Sequence, residues 1–151
     1  MENSSVQSKK IKIKIKRFDT SLPLPEYKSN GAAAMDLVAR IDVTIDSHQV
    51  GMVPLNVALQ LPADHWVMLS ARSSLFKKGV MLVNGIGVGD QDYCGNEDEY
   101  KAAVLNFTDH TVVLKRGDRL VQMMVLSRKV VEITEVDELQ TQNRGGFGST
   151  G

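Results

Sequence analysis

The chain has 151 residues and a mass of 16.6 kDa, which fits one domain with a real core. Its 18 basic and 18 acidic side chains cancel, so direct nucleic-acid binding through bulk electrostatics is not expected. An apolar content of 42% excludes global disorder, and a lone cysteine, Cys94, excludes an intrachain disulfide and weakens any thiolate metal site.

No apolar run is long enough for a membrane span, and no charged-then-apolar leader opens the chain. A cytoplasmic protein is the expectation, with host or viral origin left open. Residues 1–8 are polar and read as a flexible N-terminal tail. Residues 9–139 read as one β domain, and residues 140–151 as a separate C-terminal segment.

Lys9–Arg17 (KKIKIKIKR) alternates with period two, so Ile11, Ile13 and Ile15 share one face. That predicts a strand with one buried face, and the lysine row reads as a solvated face that discourages edge pairing. Leu22–Pro25 is a linker-like turn. Asn30–Leu37 carries helix-favouring alanines but is too short and turn-bounded to be assigned as a helix. Val38–Gln60 holds short β-branched runs broken by Asp46-Ser47-His48, Gly51 and Pro54, as in an antiparallel sheet. Trp66–Ala71 predicts a further strand, with Trp66 a core or interface residue.

Ala71–Gly79 places Arg72 beside Ser73 and Ser74 at a strand end. An arginine fork, hydroxyls and backbone amides suit an anion, although an Arg-Ser-Ser turn is also common without one. Val80–Val83 has strand composition, and Asn84-Gly85 after it signals a hairpin. Lys101–Phe107 and Thr111–Leu114 flank Thr108-Asp109-His110 as a hairpin-like pair. Leu120–Leu126 and Val130–Val136 complete the set. Many short strands without helical periodicity predict an all-β sandwich or jelly roll.

The densest chemistry lies in Leu82–Gly95 (LVNGIGVGDQDYCG). Gly85, Gly87 and Gly89 let the backbone approach a ligand closely, and Asp90, Asp92 and Tyr93 follow. Two readings fit. One is a pocket floor with backbone groups for a flat polar ring, an aromatic for a sugar and a carboxylate to activate water. The other is a tight glycine-rich hairpin with solvated acids. The run Asn96-Glu97-Asp98-Glu99 reads as a solvated loop. Arg116–Arg119 leads into the strand carrying Gln122, as a surface turn with a local Asp–Arg pair or as part of a site. His48, His65 and His110 lack metal spacing, and there is no nucleophile elbow or P-loop. A metal here is better expected as Mg²⁺ carried by substrate phosphates.

Gln140–Gly151 has four glycines in its last seven residues, too much backbone entropy to hold a structure unaided. It still carries Arg144, Phe147, Ser149 and Thr150, so it reads either as a disordered tail or as an arm that orders over a phosphate compound. Gly146–Gly151 matches the dinucleotide pattern GxGxxG only formally, because no strand-to-helix turn surrounds it.

Taken in order, five segments spread over nearly the whole chain resemble the motifs of the trimeric dUTP pyrophosphatase (dUTPase) family. They are Ala33–Leu37, Arg72–Gly79, Asn84–Gly95, Gly117–Gln122 and Arg144–Gly151. The resemblance implies a jelly-roll-like subunit, a homotrimer with sites built from three chains, and a mobile C-terminal arm. It implies Mg²⁺-dependent hydrolysis of dUTP to dUMP and pyrophosphate, which lowers dUTP and supplies dUMP for dTTP synthesis. Motif by motif, Asp90 is the base that orients water against the α-phosphorus, and Tyr93 packs on the deoxyribose and excludes a 2′-hydroxyl. Asn84, Gly87 and the neighbouring backbone read the uracil edge. Arg72, Ser73, Ser74 and Gln122 hold phosphates, with Asp36 in the water shell of the metal. Phe147 caps the uracil while Arg144, Ser149 and Thr150 reach the terminal phosphates.

The sequence departs from the family pattern at Ala34 (usually glycine), Ala71 (usually proline) and Gly89 (usually a branched apolar residue, whose loss would loosen Asp90). Asn96–Glu99 adds length and negative charge, and the fifth motif is short between Arg144 and Phe147. Two alternatives follow from these features. One is a dCTP deaminase, alone or combined with dUTP hydrolysis, in which Glu97 or Glu99 activates water against the pyrimidine. The other is a nucleotide-binding regulator with impaired catalysis.

Overall fold

The computed structural model describes residues 10–146. Eleven strands and one 3-10 helix order as β1 (Lys14–Arg17), β2 (Met35–Val38), β3 (Val43–Ile45), β4 (Val50–Pro54), β5 (Val57–Gln60), β6 (His65–Ala71), the 3-10 helix (Leu75–Lys78), β7 (Val80–Leu82), β8 (Ile86–Gly89), β9 (Lys101–Asn106), β10 (Val112–Leu114) and β11 (Arg119–Ser127). The strands pair antiparallel in four sheets ordered β2-β11-β6-β8, β4-β9-β7, β1-β5 and β10-β3. The architecture is the predicted all-β, jelly-roll-like sandwich. No helix of the described residues is long and apolar enough to cross a membrane.

Alternation drives the layering. Along β9, Ala102, Val104 and Asn106 point inward while the residues between them are more exposed. Leu37, Val53, Val67, Val104 and Leu120 fill the core from different strands, joined by Leu55 from the turn between β4 and β5. The longest strand, β11, runs through the interior of its sheet, paired to β6 from Val121↔Ala71 to Ser127↔His65 and to β2 on its other side.

Several local expectations change. The N-terminal strand is Lys14–Arg17, shorter than Lys9–Arg17; Ile13 and Ile15 pack on the core while Ile11 is exposed. Gly51 does not interrupt its strand. A Cβ there would lie 2.6 Å from Ile45 Cγ1, so the glycine lets β4 pass under Ile45. Pro54 ends the same strand, at a sheet edge where its missing donor costs nothing. Neither predicted hairpin is a ladder: β7 and β8 belong to different sheets, and so do β9 and β10. Buried Asn106 organises the second connection. Its Nδ2 donates to the carbonyls of Ile45, Asp46 and His110, and its Oδ1 accepts from the Thr108 amide.

Val130–Val136 forms no strand. Val130 and Val131 are each 74% exposed and Ile133 is 87% exposed, and the segment pairs with none of the sheets.

Candidate active site

One corner of the four-stranded sheet gathers charged and polar groups. Register sets Gln122 of β11 opposite Asp36 of β2 and Ser70 of β6. The Arg72 Nε donates to Asp36 Oδ1 at 2.9 Å, and the Arg119 guanidinium donates to Asp36 Oδ2 at 3.3 Å. The carboxylate is thus shared by two arginines and fixes both planes. Its side chain is 17% exposed, so screening of these pairs is weak. Gln122 Nε2 donates to the Ala71 carbonyl at 3.2 Å. Ser74 opens the 3-10 helix without a side-chain cap bond, which leaves its hydroxyl unspent. Ser73 beside it is exposed. The Asp118–Arg119 pair does not form; Asp118 instead pairs with Lys78 at 2.8 Å.

The glycine-rich stretch is split rather than closed. β7 is the edge of one sheet and β8 the edge of another. The Ile86 amide donates to the Asn84 carbonyl at 2.7 Å, and Gly85 takes φ 68°, a left-handed conformation that favours glycine. Gly87 packs its Cα over Leu69, where a Cβ would lie 3.1 Å from the Leu69 Cβ. Asn84, Gly87, Leu69, Leu82 and Lys101 line the shallow cleft between the two edges. Backbone amides and carbonyls at two facing, unpaired edges suit a flat ring with its own donors and acceptors.

Asp90 follows β8 and is exposed, and Tyr93 is 40% exposed. The loop after them is pinned rather than solvated. Asp98 Oδ2 accepts from the Gly95 amide at 2.7 Å. Glu99 is buried and takes both donors of Arg40, at 2.7 and 2.9 Å, plus the Asn56 amide at 2.9 Å. Asn96 and Glu97 stay in solvent, with Glu97 3.6 Å from Lys16. The expectation of a solvated acidic run is therefore corrected: a buried carboxylate is stable here because two charged donors and an amide satisfy it.

The Tyr93 hydroxyl donates to the Glu99 carbonyl at 3.1 Å, and its ring meets Tyr100 edge to face, centroids 5.4 Å apart at 84°. Burial, then Asp98 and Glu99, raise the Tyr93 phenol above its ordinary pKa. Burial chiefly pushes Tyr100 up to about 12, with smaller repulsions led by Tyr93 and Asp90.

These groups do not meet within one chain. Gly89 lies opposite Val67, so Asp90 sits at the start of β6, whereas Arg72 follows its end. At about 3.4 Å per residue the two stand roughly 20 Å apart along the strand. Gly87, opposite Leu69, lies between them. Arg144 is described as exposed and outside any regular element; Phe147, Ser149 and Thr150 lie outside the described residues. Among the described residues, no three His, Cys, Asp or Glu side chains converge as metal ligands. Sequence reasoning missed Arg119, Arg40, Glu99 and Tyr100 as supports. Only the position of Arg119, three residues before Gln122 in the fourth motif, hinted at its place.

The sequence matches the dUTPase family over residues 20–151. It is 41% identical over 152 residues to a deoxyuridine 5'-triphosphate nucleotidohydrolase of Desulfitobacterium hafniense, covering 97% of this chain and 99% of that one. Among solved structures it is similar to the dUTPase of Streptococcus mutans, with TM-score 0.71 and 30% identity over 78% of this chain and 98% of that one. A Staphylococcus bacteriophage 80alpha dUTPase crystallised with dUpNHpp shares the fold, with TM-score 0.79 and 17% identity over 93% of this chain and 98% of that one. With its motifs in order on this sandwich, the chain belongs to the dUTPase family.

Proposed function

We propose that this dUTPase hydrolyses dUTP to dUMP and pyrophosphate at sites completed by neighbouring copies of the chain, with Asp90 as general base. The observation that carries the assembly is the separation of Asp90 and Tyr93 from Arg72, Asp36 and Gln122 along β6. A triphosphate cannot use both ends of one strand, but it can use one end from each of two subunits in a homotrimer.

In this reading Asn84, Gly87 and the open edges of β7 and β8 read uracil. Cytosine is rejected by its reversed hydrogen-bond polarity and thymine by its methyl. Tyr93, held by its bond to Glu99 and by Tyr100, packs on the deoxyribose where a 2′-hydroxyl would clash. Arg72, Ser73, Ser74 and Gln122 hold phosphates, and Asp36 keeps Arg72 and Arg119 in their planes. Asp90 accepts a proton from water as its oxygen bonds to the α-phosphorus; the α–β bridging bond breaks and pyrophosphate leaves. Positioning and charge neutralisation suffice for this step.

The residues fit Mg²⁺ bound by the triphosphate itself: no protein cage is present among the described residues, and the partly open Asp36 carboxylate can meet its water shell. When bound, the ion neutralises phosphate charge. The segment 140–151 serves as the closing arm, with Phe147 over the base and Arg144, Ser149 and Thr150 toward the terminal phosphates. The enzyme acts in the cytoplasm on the nucleotide pool.

Incubation with Mg²⁺ and, separately, dUTP, dCTP, dTTP and UTP tests this reading. Conversion of dUTP alone to dUMP and pyrophosphate, by a species of about three times 16.6 kDa, is expected. Ammonia released from dCTP would overturn it in favour of a deaminase. Glu99 speaks against that outcome, because Arg40 and the Asn56 amide occupy the carboxylate a deaminase would need free. Binding of dUTP without turnover would make the chain a regulator.

A further inference from the structure

Gly89 and Tyr100 occupy one space. A Cβ on Gly89 would lie 2.5 Å from Tyr100 Cε1, 2.5 Å from its Oη and 2.9 Å from its Cζ. Two are ring atoms and the third is the hydroxyl fixed rigidly to the ring, not the end of a flexible chain, so no side chain fits at Gly89 while the ring stays. Tyr100 is only 4% exposed. Its backbone is tied on both sides: its amide donates to the Val57 carbonyl and its carbonyl accepts from the Leu55 amide, both at 2.9 Å. The ring cannot easily be displaced.

The same ring touches one group that the reaction needs, Tyr93, and the residue that precedes the other, Asp90. It lies under Gly89, the last residue of β8 and the residue before Asp90. It also meets the Tyr93 ring edge to face. The segment between Gly89 and Tyr100 is closed by its own staples, Gly95 to Asp98 and Tyr93 to Glu99. Asp90 and Tyr93 are therefore carried on a loop whose two ends converge on one aromatic ring. The Tyr100 hydroxyl is buried without a hydrogen-bond partner among the described residues. The unpartnered hydroxyl is a cost, and the ring's packing against Gly89 and Tyr93 is what the position supplies.

We propose that Tyr100 is a positioning residue of the hydrolase reaction: its ring stands in for the side chain absent at Gly89 and sets the Asp90 carboxylate and the Tyr93 ring together. The inference rests on Asp90 as base and Tyr93 as the sugar-facing aromatic. It removes the expectation that Gly89 loosens Asp90, since the missing side chain is replaced from across the loop. It also gives the lengthened loop a purpose, because Asn96–Glu99 brings Tyr100 back beneath Gly89 with Glu99 anchored on Arg40.

The test is a volume exchange on the full chain, reading kcat, KM, the dUTP-to-UTP preference and the melting temperature. Gly89→Ala forces the ring or the strand to shift, and kcat is expected to fall roughly tenfold to a hundredfold with KM moving far less. Tyr100→Leu should lower kcat and relax the preference for dUTP over UTP, because Tyr93 loses its support. Tyr100→Phe keeps the ring, should hold kcat within about twofold, and should melt no lower, since it removes an unpartnered buried hydroxyl. In the double variant Gly89→Ala with Tyr100→Leu the smaller residue makes room for the Cβ, and kcat should exceed that of either single change. Retention of kcat within about twofold by Gly89→Ala or Tyr100→Leu, or a double variant whose losses simply multiply, would overturn the inference. Asp90→Asn run in parallel separates the two levels. If it hydrolyses dUTP normally, the assignment of the base fails; if it is inactive while the Gly89 and Tyr100 variants are normal, only the role of Tyr100 fails.

Discussion

Arg40 grips Glu99 with two parallel bonds, Nε to Oε1 at 2.7 Å and NH2 to Oε2 at 2.9 Å, across 59 positions of sequence. The pair ties the loop that follows Asp90 and Tyr93 to the turn between β2 and β3. Formation of this pair also raises the Arg40 pKa, through the hydrogen bonds to Glu99 first. Glu99→Gln is expected to destabilise the fold by about 2–4 kcal/mol, as when one partner of a buried pair is neutralised. The lower end applies because the Arg40 side chain keeps 31% exposure. Urea denaturation measures the loss, and an unchanged midpoint would mean that the loop is held by other contacts.

Asp36 separates two cations that would otherwise repel. Asp36→Asn leaves the shape but removes the charge that both Arg72 and Arg119 use. Hydrogen bonds to charged groups contribute about 1.5–3 kcal/mol. If that energy positions phosphate ligands, KM for dUTP rises roughly tenfold or more while the melting temperature falls only modestly. A fall in stability with KM unchanged would make the pair structural.

The acid limb of stability should carry the signature of Asp19. Its carboxylate accepts from the Ser21 hydroxyl at 2.5 Å, the Ser21 amide at 2.9 Å and Arg116 at 2.7 Å. Those bonds, Ser21 first, hold its pKa down, from 3.8 to about 2. A depressed carboxylate stabilises the fold fully above its unfolded pKa and loses that contribution as pH falls through the folded value. The denaturation midpoint should therefore drop between about pH 4 and pH 2, and the drop should be shallower in Asp19→Asn. A residual slope will remain, because Asp42 is lowered in the same way by Lys115. Identical slopes in the two proteins would remove Asp19 from the account.

Among the described residues, Arg144–Gly146 belong to no strand, so deleting Arg144–Gly151 is expected to leave the sheets intact. The truncated chain should keep its far-ultraviolet spectrum and oligomeric mass while kcat falls by roughly a hundredfold or more, as expected for loss of a closing segment. Full turnover without the arm would refute its role.

The sequence carried the strand inventory because alternation and β-branched runs respond to local burial, as in Lys101–Asn106. It did not carry partner choice. Asn84-Gly85 and Thr108–His110 have the composition of hairpin turns, yet each sends its two arms into different sheets. A turn dictates the direction of the next residues, and the wider packing decides which edge they join. Gly51 was legible as a breaker only without Ile45 in view. The acidic run looked solvated because its composition does not reveal Arg40, a distant cation that buries Glu99. Val130–Val136 has strand composition but joins no sheet of its own subunit and stays exposed. The site was legible as residue types in order; its division between two ends of β6 was not, since motif order carries no distances.

The placement of β11 also bears on how the protein comes into being. This strand is the last among the described residues and lies inside its sheet, between β2 and β6. β6 and β8 can pair as soon as they emerge, but β2 has no neighbour until residues 119–127 arrive. Every other strand precedes it, so the four-stranded sheet closes late and by long-range contacts, the slow route to a native state. Until that strand docks, apolar edges stand open, and a growing polysome presents many of them close together. Substitutions that weaken β11 would on this account lower soluble yield before they lower the activity of the protein that does fold.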